Sequence, residues 1–238
     1  MKKKNLLTMG LGLMLTMVVV VGGTLAYLSS TDTITNTFTV GKGYEEDDKD
    51  HQGIWLDETE VDEAGNVIVG EDGEPTGQRT ESDQKYPNML PGRTVVKDPT
   101  AHMVGGSVAS YVFVKVEGVD ALEALKMAGK DGAEIQCFEV DEFNSDWKKV
   151  DPIGEGRDGY YLYVGENYNN GSNIVDVSGI GAGVPCDLTA IFTQVSMNPD
   201  LVEIPEKDYK LPEITVSAYA VQAADDMNGY EDALKAIK

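Results

Sequence analysis

Along residues 33–40 the chain alternates with a period of two. Thr33, Thr35, Thr37 and Thr39 take one face, and Ile34, Asn36, Phe38 and Val40 take the other. A β-branched stretch with this period predicts a strand. Further on, Val108, Val112, Val114 and Val116 share one face while Tyr111 and Phe113 share the other. Two apolar faces predict a central strand buried between layers. Shorter strand signals follow at residues 94–96, 134–140, 147–150, 160–164, 188–195 and 214–221. Two helical patterns interrupt them, at residues 120–128, where Asp120 reads as the N-cap, and at residues 230–237. The elements are short, the breaks are rich in Gly, Pro, Asn and Asp, and no β–α–β alternation occurs. The pattern predicts an all-β fold, an antiparallel jelly-roll-like β-sandwich with short helical insertions and an acidic loop insertion.

The first 26 residues follow a different grammar. Lys2, Lys3 and Lys4 precede an apolar run from Leu6 to Val21, and the next charged residue is Asp32. Thr24 and Ala26 place small residues at −3 and −1 of a junction between Ala26 and Tyr27. This is the grammar of a secretory signal peptide, and its apolar core of roughly 16 residues is short for a membrane span. The expected organisation is a signal peptide over residues 1–26 and one domain over residues 27–238, secreted to the extracellular matrix or cell surface without a stable membrane anchor.

Charge narrows the function further. The chain carries 41 acidic and 19 basic residues, a formal charge of −22. Nucleic-acid binding needs a basic footprint, so no nucleic-acid partner is expected. Fifteen of the acids fall in residues 42–83, against three basic residues. This segment reads as a solvated insertion, with Val67, Ile68 and Val69 as a short hairpin arm. Glu45, Glu46, Asp47, Asp48 and Asp50 lack the ligand spacing of a calcium loop and read as a solvated charge run.

Reactive constellations are sparse. The chain has no His-Glu-x-x-His and no Gly-x-Ser-x-Gly elbow, and His51 and His102 sit in polar contexts that read as surface positions. No catalytic residue, metal ligand or cofactor is assigned. Cys137 and Cys186 fit either a disulfide, favoured by an oxidising compartment, or two buried thiols that fill the core. Trp147 and the tyrosines around Tyr160 read as core side chains. On a surface they would suit a carbohydrate platform.

The ordered set of segments resembles the TasA/camelysin (CalY) family of Gram-positive secreted proteins. The resemblance rests on Gly22 to Leu28 with Asn36 to Gly41, and on Leu90 to Thr100. It continues through Ser110 to Val116, Gly159 to Tyr163, Leu188 to Val195 and Ile214 to Ala223. It implies a jelly-roll subunit processed by a SipW-type signal peptidase and polymerising into biofilm-matrix fibres. In that family the N-terminal strand of one subunit completes the sheet of the next, a donor-strand complementation that builds a head-to-tail homopolymer. Here the donor would be Thr33 to Val40. An unpaired strand near a free terminus supports the same reading, because an open sheet edge is a template for another chain. A heterologous head-to-tail contact grows a filament. The long acidic insertion also suits a matrix accessory protein beside a main fibre subunit. The alternatives are a monomeric adhesin or carbohydrate-binding module and, with less support, a camelysin-like metallopeptidase.

Overall fold

The computed structural model describes residues 29–33 as backbone, and residues 51, 53–62, 65–82, 84, 86, 89–202, 211–224 and 227–238. The junction at Ala26 and Tyr27, and positions Ile34 to Val40 of the predicted donor strand, lie outside the described residues. A five-stranded antiparallel sheet runs in the order β1 (Ser29–Thr33), β14 (Thr215–Gln222), β6 (Ser110–Glu117), β11 (Gly159–Tyr163), β10 (Trp147–Pro152). A second sheet holds β12 (Pro185–Asp187), β5 (Thr100–Val104), β2 (Ile54–Thr59) and β3 (Arg79–Thr80). A third holds β4 (Thr94–Val96), β13 (Gln194–Met197) and β9 (Phe138–Val140), and β7 (Lys126–Ala128) pairs with β8 (Glu134–Gln136). Among the described residues the helices are α1 (Val119–Glu123) and α2 (Tyr230–Ala236).

The fold is an all-β sandwich, the class that the alternation predicts. Strand β6 lies at the centre of its sheet, and its two apolar faces go to two cores. Val112, Val114 and Val116 pack with Ile54, Leu56 and Met103 of the second sheet and with Phe138, Val140 and Val195 of the third. Tyr111 and Phe113 face the other way, with Tyr160, Leu162 and Val221, under Ala233 and Leu234 of α2. Burying each large apolar side chain contributes about 1.5–3 kcal/mol, so both faces of this sheet stabilise the fold. The aromatic strand is buried on both faces as well. Tyr161 and Tyr163 join the first core, Tyr160 joins the second, and Trp147 is buried beside Tyr163. The platform that a carbohydrate-binding reading needs is enclosed.

Three sequence expectations are corrected. Residues 54–59, read as part of a solvated acidic loop, form β2, with Ile54, Trp55, Leu56 and Glu58 buried. Its acids mask a period-two pattern in which Ile54, Leu56 and Glu58 share the inner face. The helix expected over residues 120–128 stops at Glu123, and Lys126 to Ala128 form a strand. Asp120 lies inside α1 and does not cap it. The N-cap is Gly118, at a φ of 91° that suits glycine, and no side chain of its own caps the helix. Within residues 188–195, only Gln194 and Val195 are strand, in β13, which runs on to Met197.

Candidate assembly edge

The two edges of the five-stranded sheet are built differently. Strand β10 carries the exposed Lys148, a register shift between Lys149 and Asp151, and a terminal proline, Pro152. Lysines, bulges and prolines blunt an edge against pairing with another chain. The opposite edge is β1, hydrogen-bonded within the sheet to β14 alone. Its register is antiparallel, from Ser29 opposite Val221 to Thr33 opposite Ser217. Thr33 is thus the one member of the predicted donor strand among the described residues. It closes an intrachain pairing that begins four residues earlier than the alternation suggested.

Strand β14 runs on past this pairing. Its next two positions, Val216 and Thr215, face no β1 residue among the described ones. Together with Leu211, Pro212, Glu213 and Ile214 they line a cavity of about 440 Å³. Val95, Leu122, Phe138 and Val195 supply more of its apolar wall. Glu58, Lys97 and Tyr86 bring polar groups into it. The Lys97 ammonium donates to Glu58 Oε2 at 2.8 Å, and the Tyr86 hydroxyl is buried with no hydrogen-bond partner. Burial raises the Tyr86 pKa, and the charges of Glu58 and Asp98 raise it further, so the phenol keeps its proton.

Both histidines of the chain converge on Trp55, against the surface positions expected for them. The ring centroids of His51 and His102 lie 4.6 and 4.8 Å from that of Trp55, both stacked. Cross-strand register produces half of this cluster, because Trp55 of β2 faces His102 of β5, which faces Asp187 of β12. His102 Nδ1 lies 2.9 Å from Asp187 Oδ1, and Nε2 lies 2.7 Å from Asp57 Oδ1. Arg79 of β3 donates to Asp57 and Asp98 from the edge. Burial alone would raise the Asp57 pKa. The hydrogen bonds and charges of His102 and Arg79 outweigh it and hold the carboxyl below its ordinary 3.8. With a carboxylate oxygen on each ring nitrogen, His102 offers no free nitrogen for general-base chemistry. Among the described residues, no group of three or more His, Cys, Asp or Glu side chains is placed to hold a metal ion. Sequence reasoning missed this cluster because its members come from four strands. The only local signal was the four-residue spacing of His51 and Trp55.

No protein-family model matches the chain, and no curated protein or solved structure matches it. The family resemblance therefore stands on the ordered segments alone.

Cys137 and Cys186 are both buried free thiols. Cys137 sits between β8 and β9, where its carbonyl accepts from Asn198. Cys186 lies in β12 opposite Met103, its thiol directed to the Val184 carbonyl at 3.6 Å. The structure thus holds the core-filling alternative and not the disulfide. Burial pushes both thiols up in pKa, toward the unreactive protonated form.

Proposed function

We propose that this protein is an exported structural subunit of an extracellular matrix, polymerising by exchange of its N-terminal strand. The observation that carries this reading is the asymmetry of the five-stranded sheet. One edge is blunted by lysine, a bulge and proline. The other is a five-residue strand near the chain's beginning, held within the sheet by β14 alone. A strand that pairs with β14 of its own chain presents the same hydrogen-bonding groups to β14 of another copy. Exchange then costs no net ladder bonds, and a head-to-tail exchange need not close. The cavity alongside Thr215 and Val216 extends the slot in the direction in which the antiparallel register runs. Acidity tunes the process. A chain of charge −22, or −25 without residues 1–26, repels its copies at neutral pH and low salt.

The test compares chains beginning at Tyr27 and at Gly41 by size-exclusion chromatography and electron microscopy. Filaments from the first and monomers from the second are expected, with assembly promoted by acid or added salt. A synthetic peptide of residues 27–40 should bind the shorter chain and block its incorporation into filaments of the longer one. Filaments from both chains, or from neither at any pH and salt, would overturn the reading.

A further inference from the structure

The structure assigns a self-made covalent cross-link to the Glu58 and Lys97 pair: an isopeptide bond between the lysine amine and the glutamate carboxyl. The inference is independent of the assembly reading. Glu58 lies on β2 and is 1% exposed, and Lys97 follows β4 directly. The nitrogen and oxygen are already 2.8 Å apart, in contact, with side chains 15% and 2% exposed. Among the described lysine–carboxylate pairs this is the most enclosed. Lys130 with Asp200, by contrast, is 63% and 67% exposed. The pair also joins two different sheets across the cavity wall, whereas Lys115 and Glu117 pair along a single strand.

An ion pair this dry is a poor resting state, because both charges lose hydration and only their mutual attraction offsets the loss. Condensation requires one proton to pass across this contact from the ammonium to the carboxylate, which leaves a neutral amine against a neutral carboxylic acid. That is the reactive form for condensation. The Lys97 Nζ lone pair attacks Glu58 Cδ and forms the new C–N bond. The C–O bond to the protonated oxygen then breaks, and one water leaves. Of the three ammonium protons, two depart with the water and one stays on the amide nitrogen, so atoms and charge balance without any co-reactant. Holding the two groups in contact supplies the proximity that makes such a step fast compared with the same reaction between free molecules. Tyr86 lines the same cavity. Its ring centroid lies 5.8 Å from Lys97 Nζ, and its buried hydroxyl has no hydrogen-bond partner, so the wall around the pair stays dry and apolar. The other carboxylate nearest in sequence, Asp98, is already taken by Arg79 and Thr59, so Glu58 is the acceptor.

The experiment is the intact mass of the purified, folded full chain beside that of the Lys97→Arg variant processed in the same way. The expected result is a wild-type mass one water below its sequence mass, with the variant at its full value. Proteolysis of the wild type should then give one branched peptide joining the segment around Glu58 to that around Lys97, with no tryptic cleavage after Lys97. Because the wild-type mass decides the matter, a variant that fails to fold leaves the test intact. A wild type at full sequence mass, with Lys97 open to an amine-reactive label after denaturation, would overturn the inference and leave an ordinary ion pair.

Discussion

Asp120 and Asp158 cap each other's backbone. The Asp158 carboxylate accepts the N–H groups of Gly118, Val119 and Asp120, at 2.8, 2.9 and 3.3 Å. The Asp120 carboxylate in return accepts the N–H groups of Arg157 and Asp158. The helix α1 is only five residues long and has no cap of its own, so its free N–H groups depend on a loop forty residues away. Asp158→Ala should cost about 1–3 kcal/mol, as expected for hydrogen bonds to a charged group. Asp158→Asn should cost less, because one amide oxygen still accepts. Urea unfolding midpoints read both, and an unchanged midpoint for the alanine variant would remove the cap's role.

Gly118→Ala tests the backbone at the same junction. A Cβ there would collide with the Glu213 carbonyl oxygen, and the φ of 91° already disfavours any side chain. The contact is backbone against backbone, so no side-chain rotation relieves it. A loss of at least about 2 kcal/mol is expected, from the left-handed strain and the displaced Leu211–Ile214 stretch together. Alanine at Gly132, with a φ of 78° and open space around it, should show the conformational part alone. Equal losses at the two positions would mean that the Glu213 contact does not matter.

The Asp57 cluster should make stability sensitive to acid in a defined direction. Its pKa is lower in the fold than the ordinary 3.8, so the unfolded chain takes up this proton first as the pH falls. The stabilisation is complete above about pH 4 and is lost as the pH drops through the folded value. Asp57→Asn removes this contribution. Its unfolding midpoint should fall less steeply than the wild type's over that window, while lying lower at neutral pH. Parallel slopes would show that His102 and Arg79 do not hold the carboxylate.

Much of the fold was legible because the five-stranded sheet is built from local signals. The period-two valines of β6, the aromatics of β11 and the strand signal at residues 214–221 each read correctly from a few residues. What stayed hidden depends on distant partners. β2 carries a glutamate on its inner face, tolerable only because Lys97 meets it. β5 includes a buried histidine, tolerable only because Asp57 and Asp187 flank it. A buried polar group looks like a loop residue until its partner is known. At the candidate edge, the strand read over residues 33–40 shares only Thr33 with the described residues, and the pairing of Ser29–Thr33 went unread because its β14 partner lies at the far end of the sequence.

The two thiols give a fourth expectation. Both are buried, and burial pushes both pKa values up. The native protein should resist thiol reagents at neutral pH and release two equivalents on unfolding, and mild oxidation should leave the folded monomer without a cross-link. Rapid native labelling of either cysteine, or a disulfide in the folded chain, would contradict this placement.

The pairing of Ser29 with Val221 and of Thr33 with Ser217 has a consequence in time. It is the most distant contact along the chain in its sheet, so closing it carries the largest loop entropy, and β14 must be in place before β1 has anything to join. Loop entropy thus makes the β14–β6–β11–β10 ladder the expected platform, with β1 expected to dock last. Under the proposed strand exchange, that interval leaves the place beside β14 open either to the tethered β1 or to a neighbour's, and protein concentration, more than affinity, is expected to set the outcome.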